Sequence, residues 1–227
     1  MIFSTPAIVL RSIKYGETSL VLTLFTQTHG VLPVMVKGIR GGKNSKSDLF
    51  QPASLLDLQL DIRPQRNFHW LKEYSPAFLY RQLSQSVVHN SVALFCTELL
   101  LRLLPEDAPA EDVFDFSFSF FQKIDRLAYN QMIHLPNYFC AQISQMMGYD
   151  LSAYFSNQNS TELTITEEQA GYLKALALKN PNLPLNELKV SASLRSELLD
   201  WQIQFLHNHS QHMSALKSLS IIKQILH

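Results

Sequence analysis

Leu55-Leu56-Asp57-Leu58-Gln59-Leu60-Asp61-Ile62 decides the first half of this chain. Leu56, Leu58, Leu60 and Ile62 fall on one side of an extended backbone, and Asp57, Gln59 and Asp61 on the other. A period of two belongs to a β-strand with one buried and one wet face. Upstream the same logic recurs. Ser19 to Thr26 alternates Leu20, Leu22 and Leu24 against Val21, Thr23 and Phe25. Val9 to Lys14 precedes it across a turn at Tyr15-Gly16-Glu17, and Val31 to Val36 follows a turn at His29-Gly30. Downstream, Phe68 to Glu73 suits a fifth strand after the turn-like Arg63-Pro64-Gln65-Arg66-Asn67. Five short strands with turns between them predict a compact barrel of the OB type.

Ser75-Pro76 marks a change of regime, with Pro76 placed to open a helix. Val87, Leu94, Phe95, Leu99 and Leu103 keep helical spacing up to a break at Leu104-Pro105. Phe114, Phe116, Phe118 and Phe120 alternate like a strand, yet Val113, Phe116, Phe120, Ile124 and Leu127 fit a helix, and the length favours the helix. Thr166 with Gln169 forms a capping-box pattern, Leu194, Leu198, Trp201 and Phe205 give another stripe, and Leu216 to Leu226 the last. Ser156 to Ser160 reads as a loop. The expected class is α+β multidomain: an OB-fold barrel in residues 1–75, then an all-α domain in residues 76–227.

With 227 residues, 46% of them hydrophobic, the chain can bury a real core. Its formal net charge of zero conceals an asymmetry. Residues 1–75 carry nine Lys and Arg against five acids, a balance of +4, and the remainder ten against fourteen, a balance of −4. A basic end suggests a polyanion partner. The N-terminus has no secretory pattern, and the uncharged residues 127–149 hold too many amides for a membrane span. Cys96 and Cys140 lie among apolar neighbours, as small buried hydrophobes do in a reducing compartment, so a cytoplasmic location is expected.

Residues 37–47 place Lys37, Arg40, Lys43 and Lys46 among three glycines with no acid. Such a loop can mould itself to a phosphate chain and bind it without regard to sequence, although many such loops are merely solvated. Arg11, Lys14 and Arg66 add cations from the same strands and turns, and Tyr15, Phe68 and Trp70 lie near them in sequence. Barrels of this type hold single strands by joining a basic groove to aromatic platforms. The expected DNA-binding residues are therefore Arg11, Lys14, Lys37, Arg40, Lys43, Lys46, Arg66 and Trp70. For Phe68 and Trp70 a place in the barrel core is the competing expectation.

Catalytic patterns are missing. No Walker-type phosphate loop occurs, and no Ser, His and acid set stands out. His207, His209 and His212 suit the polar end of a helix better than a metal site. Glu106, Asp107, Glu111 and Asp112 belong to one inter-helix turn, whereas two-metal chemistry needs carboxylates converging from separate elements. No enzyme, metal or cofactor is expected.

The wording of the sequence goes further than its patterns. Ala7-Ile8-Val9-Leu10-Arg11, Tyr15-Gly16-Glu17-Thr18-Ser19-Leu20, Leu24-Phe25-Thr26, His29-Gly30, Val36-Lys37-Gly38-Ile39-Arg40 and Gln51-Pro52 resemble, in order and spacing, the opening of the RecO family. Glu98 to Pro105, Met147-Gly148-Tyr149 and His207 to Leu226 look like that family's helical part. The resemblance implies an N-terminal OB-fold and a helical C-terminal domain. It implies binding of single- and double-stranded DNA, annealing of complementary strands, and partnership with RecR and the single-stranded-DNA-binding protein SSB in loading RecA. Neutralised phosphates lower the repulsion between two strands, which makes annealing physically reasonable.

Many members of that family carry a four-cysteine zinc site just after this Gly-Tyr, and Asp150 to Glu162 contains no cysteine. No zinc is expected here. The family docks SSB's acidic tail on basic and apolar groups, but Pro136-Asn137-Tyr138-Phe139 offers no cation and the helical half is net acidic. No tail-binding residues are therefore assigned, and Arg102, Lys123, Arg126 and Lys217 are candidate contributors only. Two other functions compete with the mediator: an interaction adaptor whose barrel never touches DNA, and a metal-dependent nuclease, for which the sequence offers almost nothing.

Overall fold

The structure, a computed structural model, describes residues 2–39, 47–63, 68–155, 165–178, 185, 188–210 and 213–226. Of the expected DNA-binding residues, Arg40, Lys43, Lys46 and Arg66 lie outside them, as do the loop at 156–160 and His212.

Five strands, β1 (Ile2–Tyr15), β2 (Ser19–Thr26), β3 (Gly30–Val36), β4 (Leu55–Asp61) and β5 (His69–Pro76), close into a barrel in the order β1-β2-β3-β5-β4. All neighbours are antiparallel except β3 and β5. This is the expected OB-type barrel. Its interior is apolar: Leu20, Leu22 and Leu24 of β2 meet Leu32, Val34 and Val36 of β3 and Leu56, Leu58 and Leu60 of β4. Phe50, on a short 3₁₀ turn (Ser47–Phe50), is fully buried with them and stands edge-on to Tyr74 at 4.9 Å.

One strand is longer than its local pattern suggested. β1 serves two neighbours: Ile2 to Ile8 pair with β4, and Ala7 to Tyr15 with β2. The change of partner coincides with a bulge between Val9 and Arg11, which bends the strand around the barrel. A strand shared in this way leaves no exposed edge.

Pro76 does not open a helix. It closes β5 opposite Leu56, a position that accepts proline because the strand ends there. The first helix, α1 (Val87–Leu103), starts only after a segment pinned by Asp125. That buried carboxylate accepts the backbone N–H groups of Arg81, Gln82 and Leu83 at 2.7–3.1 Å. The helices that follow are α2 (Glu111–Ile124), α3 (Tyr129–Met132), α4 (Leu135–Met146), α5 (Glu167–Leu178), α6 (Ala192–His209) and α7 (Ser218–Ile225). The phenylalanine-rich segment is thus a helix, with Val113, Phe114, Phe120, Phe121 and Ile124 buried. Among the described residues no helix is long and apolar enough to cross a membrane.

The chain forms two compact units, Met1–Ser86 with Thr97–Asp125, and Val87–Cys96 with Arg126–His227. In the first, β2 buries Phe25 against Phe114 of α2 (ring centroids 5.3 Å), and Gln27 donates to Asp115 at 2.8 Å. Gly30 sits at φ +68°, and a Cβ there would overlap the Ala108 carbonyl, so only glycine fits.

In the second unit the core is apolar with polar pairs sealed inside it. Asn137 donates to the Arg195 carbonyl and to Gln202, each at 3.0 Å, and Gln202 returns a bond to the Asn137 carbonyl. Cys96 and Cys140 are free and fully buried, and burial pushes both thiols up. Thr166 and Gln169 exchange the two bonds of a capping box, at 2.9 and 3.2 Å. After Gly148-Tyr149 the described residues pack aromatically: Tyr154 meets Trp201 at 4.9 Å, and Tyr149 meets His209 at 5.3 Å. Four thiolates have no counterpart in that donor set, and the two buried thiols sit on α1 and α4 instead.

Candidate nucleic-acid interface

The register of the barrel decides which side chains share its outer surface. Val21 of β2 lies beside Ile13 of β1 and Met35 of β3, and Met35 lies beside Trp70 of β5. One outward row therefore runs Ile13–Val21–Met35–Trp70 across four strands. A second row runs Arg11–Thr23–Pro33, and Tyr15 beside Ser19 continues the face beyond the first. These positions alternate with Leu20, Leu22, Val34 and Val36, which fill the interior. Farther along β2, α2 covers the same surface at Phe25, so the uncovered part is the end nearest the β1–β2 turn.

That end carries charge. Lys37 follows the last residue of β3 and extends its ammonium over the Trp70 ring, 4.2 Å from the centroid. Gly38, at φ +69°, turns the chain away, and Ile39 donates to the Thr18 carbonyl at 3.0 Å, tying this departure to the β1–β2 turn. A groove of about 610 Å³ opens beside it, lined by Lys37, Gly38, Arg63, Trp70, Lys72 and Tyr74 among others. Among the described residues, three cations and two aromatic rings therefore border one groove, and no carboxylate lines it. Arg63 is partly committed: its guanidinium bonds Asp61 at 2.7 and 3.0 Å, which holds that carboxyl below the usual carboxylate range. Nearby His69 is buried at the start of β5, and burial lowers its pKa, keeping an uncharged ring at neutral pH.

Among the residues singled out in the sequence, Arg11, Lys37 and Trp70 share the outward face. Lys14, also exposed, sits on the opposite side of β1, level with Leu20 at the rim. Trp70 is half-buried and faces outward, outside the barrel core. Arg63, Lys72 and Tyr74 were not singled out. Lys72 owes its place to a bulge that skips it between the Gln59–Glu73 and Leu60–Leu71 pairs, which no local pattern announces. His207 and His209 end α6 as exposed groups, and Glu106, Asp107, Glu111 and Asp112 are exposed around one turn.

The family model described as "Recombination protein O N terminal" matches residues 1–80, the barrel, and "Recombination protein O C terminal" matches residues 84–157. The chain belongs to the RecO family. Similar proteins include the DNA repair protein RecO of Phocaeicola vulgatus, 26% identical over 243 residues and 99% of both chains. That of Christiangramia forsetii is 24% identical over 244 residues, again across 99% of both. That of Salinibacter ruber is 33% identical over 147 residues, 65% of this chain and 56% of its own. As a RecO-family DNA repair protein, this chain has its uncovered basic face on the part that the N-terminal family model matches.

Proposed function

We propose that this chain is a non-catalytic recombination mediator. Its barrel binds single- and double-stranded DNA and anneals complementary strands, and with RecR it helps RecA load onto SSB-coated DNA. The observation that carries the reading is the groove of Lys37, Arg63 and Lys72 against Trp70, continuous with the outward face that bears Arg11. Its cations suit phosphates, whose contacts supply affinity without sequence preference, as a mediator acting at any gap requires. Arg40, Lys43, Lys46 and Arg66 lie outside the described residues, and we assign them to the same DNA-binding set because they follow Lys37 and Arg63 closely in sequence. Two strands whose phosphates are partly neutralised repel each other less, which favours annealing.

Fluorescence anisotropy of a labelled oligonucleotide at several salt concentrations tests the reading. If about five phosphates are engaged, the log–log slope on single strands is near −3.5. Replacing Lys37, Arg40, Lys43 and Lys46 together by alanine flattens the slope and slows annealing. Absence of binding at low salt, with a stable RecR or SSB complex, would leave an adaptor whose barrel does not touch DNA.

A further inference from the structure

We propose that the exposed stripe Arg11–Ile13–Tyr15 of β1 carries the bases of an unpaired strand, with Tyr15 as the stacking platform, and that Trp70 positions Lys37 instead of stacking bases. The proposal rests on the reading of this barrel face as DNA-binding and names the form of DNA it selects.

Alternate residues of a strand share a side and stand about 6.6–6.8 Å apart. Arg11, Ile13 and Tyr15 therefore form a line of cation, aliphatic group and aromatic ring, and all three are exposed. Ile13 is 43% and Tyr15 55% exposed, on a strand that contributes Ala7 and Val9 to the apolar barrel core. The apolar pair follows the positive charge of Arg11 on the same side of the strand, and Lys14 stands on the opposite side at the rim. A ligand matching both must offer anionic groups and flat apolar faces at short repeat. Unpaired nucleic acid does so at every nucleotide, whereas a duplex keeps its base faces inside its own stack and an acidic peptide does not pair a flat face with each anionic group.

Trp70 is differently placed. The Lys37 ammonium already occupies a face of its ring, and its indole nitrogen is enclosed with no hydrogen-bond partner among the described residues. The ring thus serves as a seat for Lys37. A lysine held in this way loses less side-chain freedom when it meets a phosphate.

The test compares three probes in anisotropy titrations: a thymidine oligonucleotide, an abasic strand of equal length, and a duplex. Tyr15→Ala weakens the thymidine strand by about 5- to 150-fold, the range for loss of one stacked base, and leaves the other two probes within twofold. Tyr15→Phe retains wild-type affinity. Trp70→Leu weakens all three probes alike, Lys37→Ala does the same, and the double variant adds nothing, because both act on one ammonium. A Tyr15→Ala variant that loses the abasic strand equally, or leaves the thymidine strand unchanged, overturns the stacking role. A Trp70→Leu variant that weakens only the thymidine strand overturns the positioning role. If polyglutamate displaces the thymidine strand as well as the abasic one, charge alone governs this face and the stripe has no base-binding role. Wild-type protein that binds none of the DNA probes at low salt would instead remove the DNA-binding reading itself.

Discussion

The barrel and the helical unit handle polar side chains in opposite ways. Inside the barrel almost nothing is polar, and the cations stand on its outer face and rim, where Lys37 and Lys72 border an open groove. The helical unit turns several polar groups inward: Asn137 and Gln202 bond one another, and His134 meets the Tyr172 hydroxyl at 2.7 Å, all buried. A buried polar group left without a partner is costly, so such pairs specify one packing. A cation on a barrel rim specifies no packing and remains available to a ligand. Where a protein spends its hydrogen bonds internally it gains a defined shape, and where it leaves charge outside it keeps the capacity to bind.

If this contrast is sound, substitutions in the two regions should separate stability from DNA affinity. The largest loss of stability is expected for Gly30→Ala, which combines positive φ with a backbone collision at Ala108. About 3 kcal/mol or more should disappear in urea unfolding. Asn137→Leu leaves the buried Gln202 side-chain oxygen and the Arg195 carbonyl without their donor and should cost roughly 2–3 kcal/mol, while DNA affinity of the folded fraction stays unchanged. An Asn137→Leu variant that is fully stable yet defective on DNA would break the comparison.

His134 supplies a pH-dependent version of the same test. Burial first, and then Arg195, push its pKa down to about 4, against a bond to the Leu188 backbone that raises it. Above pH 6.5 the ring is neutral whether folded or not. Between about 6.5 and 4 the unfolded chain takes up the proton first, so stability falls as pH falls, by on the order of 2 kcal/mol. His134→Gln should flatten that dependence in denaturation midpoints measured from pH 7 to 4.5. The smallest effect on folding is expected for Lys72→Ala, within about 0.5 kcal/mol. Its salt slope on single strands should nevertheless shrink by about 0.7, one phosphate's share.

Much of the barrel was legible because its strands obey a period of two. Leu56 to Leu60 and Leu20 to Leu24 announce their buried faces without any knowledge of their partners. The full extent of β1 was not, since Ile2 to Pro6 becomes a strand by pairing with β4, about fifty residues away. The candidate surface was half legible. Loop cations can be counted, but that Trp70 faces outward depends on register, and a shift of one residue would turn it into the core. Pro76 misled because its preference for a helix start is local, whereas its place at the end of β5 is set by Leu56 opposite.

The sequence by itself determined the barrel-then-helix order, the basic first third, the capping box at Thr166 and the family of this chain, because each rests on short-range pattern. Only the tertiary structure decided that Lys37 lies over Trp70, that Lys72 and Arg63 join the same groove, and that Asp125 holds the turn at 81–83. Those contacts join residues that are far apart in the chain. Their geometry follows from barrel closure, bulges and register, which exist only once the strands have found their partners.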